Sequence, residues 1–254
     1  MKKSYLYLFA IVITACVALK PANKPTLYLI GDSTVRNSNK DMWGWGSLLP
    51  DLFDTTKISI QNNAMAGRST RTFIKEKRWV KVLSMLKPGD YVMMQFGHNE
   101  GSKPDTSRNG YRGVLRGIGK DSVNLNWKDG SVETVYTYGQ YLRKFVDEAR
   151  AKGATPIILS MIPRNDWKDG KVILADKDFG LWAQQIAEEK NVTFINLNKI
   201  TADKYNAMGP EKVKPFFPNE HTHTNKDGAK MNAESVVDGL KLSKEKKLKK
   251  ALNG

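Results

Sequence analysis

The sequence predicts an α/β fold, arranged as a three-layer α/β/α sandwich around a five-stranded parallel sheet. Short apolar runs alternate along the chain with segments whose apolar residues recur at helical spacing, and this alternation produces right-handed βαβ units. The short runs are apolar on both faces, as strands covered by helices on each side tend to be. The 254 residues suffice for one substantial domain of this kind.

Each predicted strand is a short apolar run, and a polar or glycine-containing loop follows it. The strands cover residues 26–31, 58–60, 90–97, 155–161 and 192–197. Gly31 ends the first strand and predicts a tight turn there. In doubly wound sheets, ligand sites lie beyond the carboxyl ends of the strands, so the loops after these strands are the places to look for functional residues.

Three segments predict helices, and one long polar segment interrupts the alternation. The predicted helices cover residues 138–149, 179–190 and 227–240. The interruption is an insertion over residues 101–137, in which an Asp129-Gly130 turn between two strand-like runs (122–127 and 131–136) predicts a β-hairpin. We expect the insertion to lie beside the site, within a single domain that spans residues 24–241.

The N-terminus has the layout of a secretory signal. Two lysines precede an apolar run over residues 5–19, which is too short to cross a bilayer comfortably. The only cysteine, Cys16, ends a run that resembles a bacterial lipobox. We therefore expect a signal peptide over residues 1–19 with a lipid on Cys16. The alternative is ordinary cleavage near Ala18. Both predict an exported protein (periplasmic, anchored in the outer membrane, or secreted) that contacts membrane only through the lipid.

The chain is strongly basic, with a net charge of +15. A lysine-rich segment at its C-terminus, residues 242–254, is expected to be a solvated tail without a partner. A basic surface attracts acidic polymers. Export argues against nucleic acid and favours an acidic polysaccharide, or the negative surface of a cell envelope, as the partner.

Two loops after the first strands carry candidate reactive groups. Residues 31–34 (Gly-Asp-Ser-Thr) directly follow the first strand, where Ser33 can present its hydroxyl to a crevice and a helix N-terminus would favour developing negative charge. The alternative is a helix N-cap. Gly67 follows the second strand and can offer a backbone N–H to an oxyanion, or it is a plain loop glycine.

Two further loops complete the set. Asn99 follows the third strand, and its amide can point into the same crevice or cap a turn. Glu220 lies three residues before His223, close enough to orient the imidazole so that its other nitrogen can take a proton from a serine. A zinc site at His221 and His223 is the weaker alternative, because only His98 remains as a further imidazole. We expect the four loops to converge at one sheet edge and together to form a site for acyl transfer.

These motifs resemble the four blocks of the SGNH (GDSL-type) hydrolases, and within them the rhamnogalacturonan acetylesterases. Residues 95–99 (Gln-Phe-Gly-His-Asn) and 221–224 (His-Thr-His-Thr) are particularly similar to the pectin-acetylesterase branch. The resemblance implies a flavodoxin-like fold, no metal and no cofactor. It also assigns roles by position: Ser33 as nucleophile, His223 as base, and an oxyanion hole from the backbone amides of Ser33 and Gly67 and the side chain of Asn99.

The chain departs from the family at two acids. Glu220 and Glu100 stand where the family usually has Asp. Glutamate can still accept the imidazole proton donor, so Glu220 is the expected triad acid. The alternative is a Ser-His dyad to which Glu220 contributes little.

The resemblance implies removal of acetyl groups from pectin, so that the expected partner is an acetylated acidic polysaccharide bound by a monomer. Arginines suit its carboxylates and tryptophans its sugar faces. The candidate substrate contacts are Arg36, Arg68, Trp127, Arg164 and Asn165, while at least one of Trp43 and Trp45 is expected in the core. Two alternatives are an SGNH esterase acting on a lipid or another small ester, and a noncatalytic polysaccharide-binding lipoprotein.

Overall fold

The computed structural model describes residues 24–37, 39, 41–108 and 110–253. The predicted signal peptide and Cys16 therefore lie outside the described residues. Within these residues the strands are β1 (Thr26–Gly31), β2 (Ser59–Asn62), β3 (Tyr91–Gln95), β4 (Ser122–Asn126), β5 (Val132–Tyr136), β6 (Thr155–Leu159), β7 (Trp167–Lys168), β8 (Lys171–Val172) and β9 (Thr193–Ile195).

The α-helices lie between and after these strands. They are α1 (Thr70–Lys75), α2 (Arg78–Met85), α3 (Tyr138–Ala151), α4 (Phe179–Glu189), α5 (Leu197–Met208), α6 (Pro210–Val213), α7 (Lys226–Leu242) and α8 (Lys246–Lys250). Short 3₁₀ turns occupy Trp45–Ser47, Leu49–Leu52, Gly110–Arg112 and Lys214–Phe216. None of the described helices has the length and apolar character to cross a bilayer.

The central sheet confirms the predicted fold class. Its five strands are parallel and run in the order β2-β1-β3-β6-β9, which is the flavodoxin-like order. The second strand starts and ends later than predicted, because its pairing with β1 continues through polar Gln61 and Asn62 at the edge of the sheet. The third ends at Gln95, before Gly97 turns the chain with a φ of +138°.

The core consists of two apolar layers, one on each face of the sheet. Successive residues of a strand point to opposite faces, so that Leu27 and Leu29 of β1 pack in one layer and Tyr28 and Ile30 in the other. Helix α7 covers the first layer, and α3 and α4 cover the second. This double coverage explains why the strands are apolar on both faces, and it leaves the loops at the strand ends to form a site.

The predicted hairpin is present in the insertion. Strands β4 and β5 pair antiparallel from Ser122↔Tyr136 to Asn126↔Val132. Gly130 in the connecting turn has a φ of +81°, a conformation that glycine adopts without steric cost. The hairpin leads directly into α3, whose N-cap Thr137 accepts a hydrogen bond from the backbone of Gln140.

The C-terminal segment differs from the expected solvated tail. Most of its lysines are exposed, but Leu248 of α8 is fully buried and Ala251 nearly so. The backbone also bonds to the domain, with Asp54 N–H donating to the Ala251 carbonyl at 2.8 Å and Asn253 N–H to the Leu52 carbonyl at 3.0 Å. Two apolar residues three positions apart on one helical face are enough to attach the segment to the core.

Candidate active site

A sharp turn after β1 presents Ser33 at the edge of the sheet. A Cβ at Gly31 would lie 2.4 Å from the Gln95 carbonyl oxygen and 2.6 Å from Val35 Cγ2, so the close approach of β3 requires glycine here. The buried Asp32 accepts hydrogen bonds from the Thr34 N–H at 2.8 Å and the Thr34 hydroxyl at 2.7 Å. These contacts hold the turn that carries the serine.

A continuous hydrogen-bonded chain joins the serine to the last loop before α7. Ser33 Oγ lies 2.7 Å from His223 Nε2, and His223 Nδ1 lies 2.7 Å from Glu220 Oε1. Ser33 is only 7% exposed, and about a quarter of the His223 side chain is accessible. The imidazole can therefore take a proton from the serine while the carboxylate stabilises the resulting cation.

Glu220 is held as a hydrogen-bond acceptor by its own loop. Its Oε1 accepts the His223 backbone N–H at 2.5 Å, and its Oε2 accepts the Thr222 N–H at 2.9 Å. Partial burial disfavours its charged form, but the hydrogen bonds from His223 and Thr222 outweigh burial and hold the pKa of Glu220 below its usual range. The longer side chain thus folds back onto its loop and still reaches the imidazole.

Each of the three expected oxyanion donors has an N–H that binds no described residue. Within the described residues, the backbone N–H groups of Ser33 and Gly67 donate no hydrogen bond. Gly67 has a φ of +73°, and its neighbour Arg68 offers a carbonyl that accepts a hydrogen bond from Asn99 Nδ2 at 3.1 Å. The structure therefore brings the second and third motifs together and leaves the other amide hydrogen of Asn99 available.

Arg112 is a functional candidate that the sequence did not reveal. It lies in the 3₁₀ turn of the insertion, and its Nη1 donates to Asn99 Oδ1 at 2.9 Å. This contact fixes which way the Asn99 amide faces, with the donor nitrogen on the side of Arg68. Nothing in the local sequence marks Arg112, since it lies in a polar, glycine-rich stretch and its partner is thirteen residues away.

Glu100 ties the Asn99 loop to helix α1. Its Oε1 accepts the Thr70 N–H at 2.8 Å, and its Oε2 accepts the N–H groups of Gly97 and Asn99 at 3.0 Å each. Complete burial raises the pKa of Glu100 to about 8, although these three backbone donors oppose the rise. The residue that departs from the family pattern is therefore a buried anchor of the loop that carries Asn99.

The other two histidines are not hydrogen-bonded to Ser33, His223 or Glu220. His221 Nδ1 lies 2.7 Å from Asp166 Oδ1, so this imidazole faces the loop after β6 and does not converge with His223 as a metal pair would. Burial lowers the pKa of His98 to about 4, which keeps its ring neutral at pH 7. Neither ring nitrogen of His98 has a hydrogen-bond partner among the described residues.

Two of the five expected substrate contacts, Arg68 and Trp127, bind other side chains of the protein. Arg68 Nε pairs with Glu76 at 2.9 Å. Trp127 donates to Glu133 at 2.9 Å, and the Lys75 ammonium lies 3.4 Å from the centre of its ring. Trp127 therefore packs against Lys75 of α1, and its indole N–H binds the Glu133 carboxylate within the insertion.

The other three expected substrate contacts lie in the loops that follow β1 and β6. Arg36 donates to the Asn62 carbonyl at 3.2 Å. Asn165 accepts from the Trp167 indole at 2.7 Å and donates its backbone N–H to the His221 carbonyl at 2.7 Å. Asn165 therefore joins the loop after β6 to the histidine loop, whereas Arg164 lines a cavity beside His98.

Of the two tryptophans that flank Gly44, Trp45 is the one in the core, where at least one was expected. Trp45 is 1% exposed and donates its indole N–H to Gln95 at 2.7 Å. Trp43 is 36% exposed, and its backbone pairs with Thr224, directly after His223. Trp43 is therefore an accessible aromatic surface close to the base.

Comparisons with known proteins identify the family. The model of the GDSL-like Lipase/Acylhydrolase family matches residues 29–231. A rhamnogalacturonan acetylesterase of Emericella nidulans is 32% identical over 92% of each chain. A probable rhamnogalacturonan acetylesterase of Bacillus subtilis is 31% identical over 85% of this chain and 92% of that protein.

Solved structures share the fold. A Bacillus subtilis protein has a TM-score of 0.69 at 25% identity, over 88% of this chain and 58% of that longer chain. An acetylxylan esterase of Geobacillus stearothermophilus has a TM-score of 0.56 at 16% identity, over 85% of this chain and 94% of that chain, which is evidence of the fold alone. The chain therefore belongs to the GDSL-like lipase/acylhydrolase family, and it is a serine-type carboxylic ester hydrolase.

Proposed function

We propose that this protein is a carbohydrate O-acetylesterase that removes acetyl groups from pectin, with rhamnogalacturonan as its polymer. The observation that carries the proposal is the hydrogen-bonded chain from Ser33 through His223 to Glu220. The loops after β1, β2 and β3 supply the three expected oxyanion donors. Two relatives that share most of the chain are named as rhamnogalacturonan acetylesterases, one of them as a probable one, which supports the choice of polymer.

The reaction proceeds in two steps through an acetyl-enzyme. His223 Nε2 takes the proton of Ser33 as Oγ attacks the acetyl carbonyl carbon. The resulting oxyanion accepts hydrogen bonds from the N–H groups of Ser33 and Gly67 and from Asn99 Nδ2. The ester C–O bond then breaks, and the sugar hydroxyl leaves with the proton from His223.

Deacylation repeats the same proton transfers with water. His223 takes a proton from a water molecule, which attacks the acetyl group on Ser33. The oxyanion forms again in the same place, and acetate leaves as Oγ regains its proton. Glu220 remains ionised throughout and stabilises the imidazolium in both steps, as its lowered pKa favours.

The net charge supports an acidic polymer as the substrate. The chain carries a net charge of +15, and acetylated pectin is a polyanion that a basic surface attracts. We propose that the protein acts as a monomer without a cofactor, after export directed by residues 1–19 and with a lipid on Cys16. An exported, anchored enzyme would meet its polymer outside the cytoplasm.

The test is acetate release from acetylated rhamnogalacturonan and other plant polysaccharides, compared with hydrolysis of a long-chain 4-nitrophenyl ester. We expect the wild type to prefer rhamnogalacturonan and Ser33→Ala to lose all activity. Ser84→Ala is the matched control, because that exposed serine lies on α2 and bonds only to the Lys81 carbonyl. Preference for the long-chain ester would favour a lipid substrate, and activity in Ser33→Ala would contradict the serine mechanism.

A further inference from the structure

A cavity of about 280 Å³ lies beside the reactive groups and has no role in the chemistry above. Gly97 and His98 form one wall, directly before the oxyanion donor Asn99. Asp166 also lines the cavity and binds His221 in the histidine loop. A sugar in this cavity would therefore sit between the oxyanion loop and the loop that carries the base.

Two arginines, Arg164 and Arg116, line this cavity without a carboxylate partner. Carboxylates pair with Arg68, Arg71, Arg78 and Arg143. By contrast, Arg164 and Arg116 form no ion pair with any described residue, and Arg164 Nε is buried without a hydrogen-bond partner. A buried, unpaired donor of this kind is costly unless a ligand supplies the acceptor.

Arg116 is held in place by aromatic rings. Its guanidinium lies 5.1 Å from the centre of the Trp182 ring and 5.5 Å from that of Phe179. Stacking restricts the side chain without using its N–H groups, so these donors remain available to a ligand. A planar, preorganised guanidinium suits bidentate recognition of a carboxylate.

The acids of the cavity identify which kind of anion fits. Asp166 is already bound to His221, but Asp178 Oδ1 is buried and has no hydrogen-bond partner among the described residues. It needs a donor such as a sugar hydroxyl. A simple inorganic anion would satisfy the arginines and be repelled by Asp178, and a neutral sugar would satisfy Asp178 and leave Arg164 Nε unpaired.

A sugar acid meets both requirements, because it carries a carboxylate and hydroxyl groups on one ring. From these unpaired groups we infer that the cavity is a subsite for a uronate residue of the acetylated polymer, with Arg164 and Arg116 as ligands of its carboxylate and Asp178 as an acceptor for its hydroxyls. This inference rests on the proposed function and names the sugar that the site recognises. Free donors and a free acceptor in one cavity carry it.

The test compares acetylated rhamnogalacturonan with the same polymer after methyl esterification of its carboxylates. We expect Arg164→Gln to raise KM for the free-acid polymer at least tenfold more than for the methyl ester, and Arg116→Gln to act in the same direction. Arg150→Gln is the matched control, since that exposed arginine bonds only to the Asn191 carbonyl. Equal effects on the two polymers would overturn the subsite.

A second measurement separates this inference from the proposed function. Galacturonate and galactose are tested as inhibitors of 4-nitrophenyl acetate hydrolysis, which requires no activity on a polymer. We expect galacturonate to inhibit the wild type at least tenfold more strongly than galactose, and Arg164→Gln to lose that difference. Equal inhibition by the two sugars would overturn the subsite, whereas selective inhibition without acetate release from any polysaccharide would overturn only the proposed function.

Discussion

Replacing Arg112 with methionine removes the hydrogen bond that orients the Asn99 amide but keeps most of the apolar stem. In the structure Arg112 Nη1 donates to Asn99 Oδ1 at 2.9 Å, while Asn99 Nδ2 donates to the Arg68 carbonyl. Hydrogen bonds to charged groups contribute about 1.5–3 kcal/mol, and loss of a whole oxyanion donor costs about 3 kcal/mol. We therefore expect kcat to fall about 10- to 100-fold, with KM little changed.

The assay is steady-state hydrolysis of 4-nitrophenyl acetate by a double-mutant cycle. Arg112 acts through Asn99, so Arg112→Met should cause little further loss in an Asn99→Ala background. Arg108→Met is the matched control, because this exposed arginine belongs to the same insertion and forms no hydrogen bond with a described residue. Equal losses in both backgrounds, or a raised KM with unchanged kcat, would refute a positioning role for Arg112.

Three other predictions follow from the site and its supports. Glu220→Ala should lower kcat by roughly 100- to 10,000-fold, with Glu220→Asp retaining much more activity; equal, undiminished rates for both would mean a Ser-His dyad. Because the pKa of Glu100 is about 8 in the folded protein, the free energy of unfolding should fall as the pH rises from 6.5 to 8. In Glu100→Gln the free energy of unfolding should not change over this range. Urea titrations measure it at each pH, and the same pH dependence in both proteins would contradict the prediction. Gly31→Ala should destabilise by about 1–3 kcal/mol through its clash with β3, whereas Gly101→Ala, with open space around it, should leave the melting temperature unchanged.

Above pH 6.5, His98 does not contribute to the pH dependence of stability that is predicted for Glu100. Burial lowers the pKa of His98 to about 4, so His98 contributes stability that is present above pH 6.5 and lost as the pH falls toward 4. Glu100 has a raised pKa, so its contribution is present at low pH and lost as the pH rises toward 8. The two effects oppose each other between about pH 4.5 and 6.5, and only that of Glu100 remains above this range.

The fold was predictable because its signals are local. An apolar run such as residues 26–31 marks a strand without reference to any other part of the chain. The Asp129-Gly130 turn marks a hairpin, and the apolar spacing of residues 138–149 marks a helix. The bounds of the second strand were not predictable in this way. Backbone pairing with β1 extends its end, and such pairing does not depend on residue type.

The site was predictable only where motifs fall at strand ends. Ser33 and Asn99 follow strands that are neighbours in the sheet, so topology alone brings them to one edge. The partners of long polar side chains were not predictable, since Arg68 could face substrate or Glu76 with the same local sequence. Arg112 and Leu248 were not predictable either, because both act through contacts that exist only in the folded chain.

Trapping the acyl-enzyme tests whether Ser33 is the nucleophile. The protein is mixed with 4-nitrophenyl acetate, quenched in acid within the first turnover, digested, and analysed by mass spectrometry. The mechanism predicts one acetyl group on the peptide that contains Ser33, a matching burst of nitrophenol, and neither in Ser33→Ala. An acetyl group on another residue in an active sample, or turnover without any covalent adduct or burst, would contradict it.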